Sequence, residues 1–347
     1  MVCKVFGLRL KKMGRIERKC KHKSLKSKIA YIPTFSAHRR LQLRQSLLVA
    51  YSRIFLKNKI KKIAIWKVDG IGDIIICHPI NLRLKKIFPN ASIILVCFSR
   101  VAEVGKRVPS FDGVDMVDLE TGGDFGVFRR KVRNKYDLIL YPSYELIYEM
   151  LGGNGSLVAI MFSSLGLRPD RQIVFEYRLT DEELAFALGY RKEKGDYIVF
   201  APISGPFVGK RKTWTEEYWQ RLIDLQSLPV IVLGKDRLAV ERCINLTGQT
   251  SINQAAALIK ECRLFVGVVS GLLWLGNVFN KDAVVICGGF ESPIFTKYAK
   301  SHYLFSDIEC APCLAYSSEC PQNMKCMKQI TAEMVNQEIV EVLIGKP

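Results

Sequence analysis

The chain reads as an α/β protein of two tandem halves, each built on a parallel sheet, and three observations predict this. Strand-like apolar runs alternate with helical stretches at the rhythm of strand–helix–strand crossovers. The alternation begins near residue 59, breaks across a charged stretch at 178–196, and begins again. A length of 347 residues, 49% of them hydrophobic, is enough for two cores.

In the first half, Lys62 to Val68 (KIAIWKV) predicts a strand. Asp69 to Asp73 (DGIGD) predicts a turn, and Ile74 to Phe88 a helix stopped by Pro89. Ser92 to Phe98 and Asp137 to Tyr141 are further strands, and Leu157 to Leu165 is helical. The 178–196 stretch is polar enough for a hinge. In the second half, Tyr197 to Ile203, Pro229 to Leu233, Leu264 to Val268 and Ala283 to Cys287 predict strands. Helices are expected at Thr215 to Leu228, Ser251 to Cys262, Gly271 to Phe279 and Thr331 to Leu343, the first and last capped by threonine. The division is therefore a basic arm with one helix (1–58), a first αβ domain (59–185), a second (196–330) and a closing helix (331–347).

Charge is concentrated at one end. Residues 1–62 hold 19 Lys or Arg against a single acid, Glu17, and so supply +18 of the chain's net +19. The pI of 9.5 is a property of the arm, not of the folded body. Within it, Leu43, Leu47, Tyr51, Ile54 and Phe55 fall on one side at helical spacing, beside Arg39, Arg40, Arg44 and Arg53. Such a helix either lies on an anionic membrane surface or packs on its own domain with a solvated basic face. A nucleic-acid track is disfavoured, because the arm has little aromatic interleaving and the body is neutral. No apolar run is long enough to span a bilayer, and no secretory signal is evident, so the expected location is the cytoplasm, attached peripherally to the inner membrane.

Four places carry chemistry. The first is Lys67, Asp69, Gly70, Gly72 and Asp73, at the carboxyl end of the first strand, where parallel sheets bind ligands. The spacing is not GxGxxG, which disfavours a nicotinamide cofactor. Asp73 is either a helix cap or a general base. The second is Lys212, Thr213 and Trp214, before the Thr215 helix, where a lysine suits a phosphate or is simply solvated beside Lys210 and Arg211. The third is Gly267 to Leu275 (GVVSGLLWL), where a Ser270–Gly271 turn opens a helix able to cradle a pyrophosphate. The fourth is Cys310, Cys313, Cys320 and Cys326, spaced C-x2-C-x6-C-x5-C, a candidate structural Zn or Fe site or else free or disulfide-linked thiols. The other cysteines are scattered, and Cys77, Cys97 and Cys287 read as core residues of a reduced protein. The histidines (His22, His38, His78, His302) supply no nucleophile–base set.

The run from Val68 to Cys97 (VDGIGDIIICHPINLRLKKIFPNASIILVC) resembles the opening of glycosyltransferase family 9, which includes the ADP-heptose:lipopolysaccharide heptosyltransferases. It shares the GD pair after the first strand, a proline soon after (Pro79) and a proline before the second strand (Pro89). Leu246 to Gly267 resembles the second-domain signature of that family, and Cys326, Met327, Ile330 and Thr331 its C-terminal pattern. The resemblance implies a GT-B fold of two facing Rossmann-like domains and an inverting transfer from a nucleotide-diphosphate sugar to a lipid-linked glycan. It implies Asp73 as base, Lys212 on the diphosphate, Ser204, Thr213, Ser270 and Gly271 in the donor site, and no cofactor for catalysis. Two positions depart from the pattern: Val269 stands where the family has Asp, and Trp274 where it has His. Those departures also fit an alternative, a degenerate relative that binds without catalysing.

Overall fold

A computed structural model of the chain describes residues 32–68, 70–117, 132, 134–144, 155–203, 209–296, 300–313, 320 and 322–345. Most of the basic arm, residues 1–31, lies outside them, as do Asp69 and Ser204. Residues 42–347 form one compact unit.

Among the described residues, ten strands make two sheets, parallel throughout. The first holds β1 (Lys62–Trp66), β2 (Ser92–Phe98), β3 (Gly113–Val117) and β4 (Leu138–Leu140) in the order β3-β2-β1-β4. The second holds β5 (Ile198–Ala201), β6 (Val230–Val232), β7 (Ile244–Asn245), β8 (Leu264–Val268), β9 (Ala283–Gly288) and β10 (Ser301–Phe305) in the order β10-β9-β8-β5-β6-β7. The central strands are buried end to end, as IAIW in β1 and LFVGV in β8, because helices cover both faces of each sheet. One apolar core runs through both halves, from Ile63 and Leu95 to Phe265 and Leu275. Separate clusters cover the outer faces, around Trp66 and Tyr136 in the first sheet and Trp214 and Trp219 in the second.

Strand order decides where ligands can enter. In the first sheet the connections run outward from β1 through β2 to β3, while β4 lies on the other side of β1. In the second they run from β5 through β6 to β7, while β8 lies on the other side of β5. Each reversal opens a crevice at the carboxyl ends of two adjacent strands: β1 and β4 in one half, β5 and β8 in the other.

Several expectations need correction. The helix after β1 begins at Ile71, not Ile74, so Asp73 lies inside its first turn. The charged stretch expected as a hinge is mostly a helix, Asp181–Lys194. A capping box starts it: Thr180 Oγ1 accepts from the Glu183 N–H, and the Thr180 N–H donates to Glu183 at 2.8 Å. β3, β7 and the Ser99–Arg107 helix went unread, because their sequences mix polar residues with short apolar runs.

The N-terminal helix, Ile32–Phe55, is oriented against its pattern. Among its described side chains, from Gln42 onward, Gln45, Val49 and Ser52 are buried, while Leu43, Leu47, Tyr51, Ile54 and Phe55 point to solvent. Hydrogen bonding explains the choice. The Gln45 amide donates to the Tyr141 carbonyl at 3.1 Å and accepts from the Tyr141 N–H, and Gln42 donates to Ser143 Oγ at 3.3 Å. These bonds satisfy backbone left open where β4 ends. Gly166, with φ +67°, lies so close to this helix that an added Cβ would come 2.8 Å from Ser46 Cβ.

The two halves meet helix end to helix end. A Cβ on Gly72 would lie 2.3 Å from Trp274 Cδ1, and one on Gly271 would lie 2.7 Å from Ile71 Cβ. Only glycine permits this approach between the first turns of the Ile71–Ile87 and Gly271–Val278 helices. Gly72→Ala should cost about 1–3 kcal/mol of stability through overpacking. Trp274→Leu in the same chain should recover part of the loss, as read by denaturant unfolding of the single and double variants.

Candidate active site

Lys67 directly follows β1 and is wholly buried. Its Nζ lies 3.7 Å from Asp73 Oδ1, and 5.5 and 4.9 Å from the ring centroids of Tyr141 and Tyr144. Both tyrosines follow β4, so the ammonium sits in the first crevice, between two aromatic faces and a carboxylate. A buried ammonium is tolerated only with such partners. The other oxygen of Asp73, Oδ2, accepts the Gly70 N–H at 2.9 Å. Asp73 is thus a helix cap and also a partly exposed carboxylate at a strand end, so the two readings of this residue hold together. Gly70 and Gly72 frame it.

Ser270 and Gly271 follow β8 and open the Gly271–Val278 helix. Ser270 is the N-cap but makes no capping bond, and its Oγ is buried without a hydrogen-bond partner among the described residues. Val269 and Trp274 are both buried. Trp274 meets Phe175 edge to face, ring centroids 5.8 Å apart, and closes against Gly72. The helix beginning at Ser270 therefore abuts the helix carrying Asp73.

Lys212 ends a short helix, Gly209–Lys212, and is buried, not solvated. Its Nζ makes a 2.9 Å ion pair with Glu291 Oε1 and lies 5.0 Å from the Phe290 ring. Glu291 follows β9 and is itself buried. Thr213 is exposed beside it, and Trp214 is a core residue whose Nε1 donates to the Ile330 carbonyl. A link between halves forms here too: Phe295, in the Pro293–Thr296 helix just after Glu291, meets the Tyr144 ring edge to face at 5.9 Å. Asp73, Lys67 and Tyr144 of one half are thereby joined to Phe295, Glu291 and Lys212 of the other. Sequence reasoning missed Tyr141, Tyr144, Glu291 and Phe295; Tyr141 and Tyr144 carried the signal of a position just after β4, where the first crevice opens, whereas Glu291 and Phe295 follow β9, which borders neither crevice.

Of the two readings of the C-terminal cysteines, a structural metal site or free or disulfide-linked thiols, the described residues favour free thiols. Cys310 is exposed, Cys313 and Cys320 are half-buried and Cys326 is buried, and all four are free thiols. They share one neighbourhood: burial first, then the neighbouring thiols, push the Cys310 thiol pKa up, and burial raises that of Cys326. Yet no three His, Cys, Asp or Glu side chains among the described residues gather as metal ligands do. Cys326 instead packs its Cβ against the bare Gly289 backbone, and the Met324 N–H points to Cys320 Sγ at 3.3 Å. The thiols as placed do not fit a four-thiolate centre. The remaining small expectations hold: Cys77, Cys97 and Cys287 are buried, and burial pushes the Cys97 thiol to about 12. His78 is buried in the helix after β1, and desolvation lowers its pKa.

A family model described as glycosyltransferase family 9 (heptosyltransferase) matches residues 156–323, a span that includes Lys212, Ser270, Gly271 and Glu291. The second half of the chain thus matches glycosyltransferase family 9. The chain is 23% identical over 301 residues to lipooligosaccharide heptosyltransferase 2 of Haemophilus ducreyi, covering 68% of the chain and 85% of that protein. Its fold matches the family 9 glycosyltransferase of Veillonella parvula with a TM-score of 0.64 at 17% identity, over 82% of this chain and 97% of that one. It matches the ADP-heptose lipopolysaccharide heptosyltransferase II of Escherichia coli with a TM-score of 0.62 at 17% identity, over 82% and 99%. The chain thus has the two-domain GT-B fold, with Asp73 in the helix that follows the first strand of the first sheet and the Lys212 and Ser270 loops in the second half.

Removing one partner of a buried ion pair leaves the other charged and unpaired, at a cost of about 3–5 kcal/mol. Glu291→Ala should lower stability on that scale in thermal or denaturant unfolding. Removing both charges, with Lys212→Met and Glu291→Leu, should cost markedly less.

Proposed function

We propose that the chain moves a sugar, a heptose in first place, from a nucleotide-diphosphate donor to a lipopolysaccharide core or related cell-surface glycan, by a direct inverting displacement. Two of the three similar proteins are named heptosyltransferases, and one of those is named for ADP-heptose. The observation that carries the reading is the apposition of the two crevices. The Asp73–Lys67 pair lies at one strand end, and the Ser270–Gly271 helix start closes on the same helix from the other half.

In this reading the Asp73 carboxylate takes the proton of an acceptor hydroxyl. The freed oxygen attacks the anomeric carbon on the face opposite the diphosphate, and the bond from that carbon to the diphosphate oxygen breaks. Lys212 and the helix start at Gly271 offset the negative charge that grows on the leaving group. Lys67 holds the base in place from below. Thr213, Ser204 and the Ser270 hydroxyl complete the donor site, and Asp69, Gly70 and Gly72 form the acceptor-side loop. No cofactor takes part in any step. Residues 1–58 hold the enzyme at the anionic inner surface of the membrane that carries the acceptor.

Calorimetry with ADP-heptose and with UDP-, GDP- and dTDP-hexoses tests the donor assignment. One donor should bind to the wild type, and Lys212→Ala should weaken it at least tenfold. Val269 and Trp274 favour a second reading, a binding protein without catalysis, since both put apolar groups where the family places Asp and His. Folded protein that binds no nucleotide sugar, or binds one without turnover, would select it. With a donor in hand, Asp73→Asn should lower kcat by about 10²–10⁴-fold with little change in donor KM, and an unchanged kcat would remove Asp73 from the reaction.

A further inference from the structure

The Ile32–Phe55 helix shows its apolar stripe to solvent. Leu43, Leu47, Tyr51, Ile54 and Phe55 are 54–69% exposed. At 100° per residue, Leu43, Leu47, Tyr51 and Ile54 fall within an 80° arc, and the buried Gln45, Val49 and Ser52 fall on the opposite face. The Tyr51 and Phe55 rings meet at a tilt, centroids 5.0 Å apart. The rotation of this helix is not free. Gln45 holds both backbone groups of Tyr141, and the close approach to Gly166 excludes a bulkier face. The stripe cannot turn inward without breaking those bonds.

Charge says what covers it. Arg44, Arg53, Lys57, Lys59 and Lys61 are exposed on and just after the helix. The segment 1–62 as a whole carries +18, so a second copy of the same surface would be repelled, while an anionic surface would be attracted. Apolar side chains beside an excess of Lys and Arg are the makeup of a helix that lies in the plane of a bilayer. Among the described residues no helix is long and apolar enough to cross one.

We infer that the stripe Leu43, Leu47, Tyr51, Ile54 and Phe55 is a membrane-contact face, which enters the headgroup–acyl boundary of an anionic bilayer while the flanking cations meet the lipid phosphates. The inference deepens the reading of an enzyme whose acceptor is lipid-linked, and it adds a direction. The contact face is anchored through Gln45 to Tyr141, whose ring flanks Lys67 beside Asp73. The membrane is therefore addressed by an element bonded to the acceptor-side crevice, not by a detached tether.

The test is co-sedimentation of the full chain with vesicles of phosphatidylcholine alone and of phosphatidylcholine with phosphatidylglycerol. Wild type should partition onto the anionic vesicles, and a Leu43→Glu, Leu47→Glu, Ile54→Glu variant should lose at least tenfold in partitioning. All three positions are exposed, so the fold should persist, and ADP-heptose affinity measured on the same samples should not move. Leu47→Trp supplies an independent readout, a blue shift of its emission on anionic vesicles only. Vesicle binding by the triple variant equal to wild type would show that the arm's charge suffices and would overturn the inference. A wild-type dimer in lipid-free solution that the triple variant converts to monomer would overturn it in favour of self-association. Absence of ADP-heptose binding in every sample, with the vesicle result intact, would count against the donor reading alone.

Discussion

The approach of two glycine-bearing helix ends sets the geometry on which the site depends. Gly72 and Gly271 each sit where a single methyl group would collide with the opposite half. Because they lack one, the first turns of two helices, each following the central strand beside its sheet's crevice, come into contact. That contact brings a carboxylate at the end of β1 and a helix start at the end of β8 to one seam. It also explains how one apolar core can run through both halves, since Trp274 and Phe175 continue the packing across the gap.

Electrostatics follows from the same burial. Lys67 and Lys212 are both withdrawn from water, and each has a carboxylate and aromatic faces as company. Neither arrangement is simply a means of stabilising the fold, because apolar residues of similar size would do that as well or better. Buried cations held at the mouths of two crevices are costly features that binding anions and activating hydroxyls can justify.

Much of this was legible in the sequence. Buried parallel strands announce themselves as continuous apolar runs, so β1, β2, β5, β8 and β9 could be read, and with them the loops that must lie at their ends. The Gly-Asp pair and the Ser-Gly turn were visible for that reason. Glu291, Tyr144 and Phe295 were not, because an acid or an aromatic after a strand carries no local signature; their roles come from residues far away in the chain. The N-terminal helix shows the limit of periodicity from the other side. Its apolar stripe was plain, but the side that packs was decided by Gln45 bonding to a strand end, which no hydrophobic pattern encodes. The cysteine spacing likewise allows a chelate, but among the described residues the thiols do not gather as metal ligands do.

The bond from Gln45 to Tyr141 has a consequence for where this enzyme can be said to begin. A chain trimmed to start at β1 would retain every strand, both crevices and every residue assigned to the reaction. It would also leave the N–H and carbonyl of Tyr141 without their protein partners, on the very segment that carries the aromatic wall of Lys67. The leading helix is thus a splint for the first crevice, and the first folded half in the physical sense starts some twenty residues before its first strand.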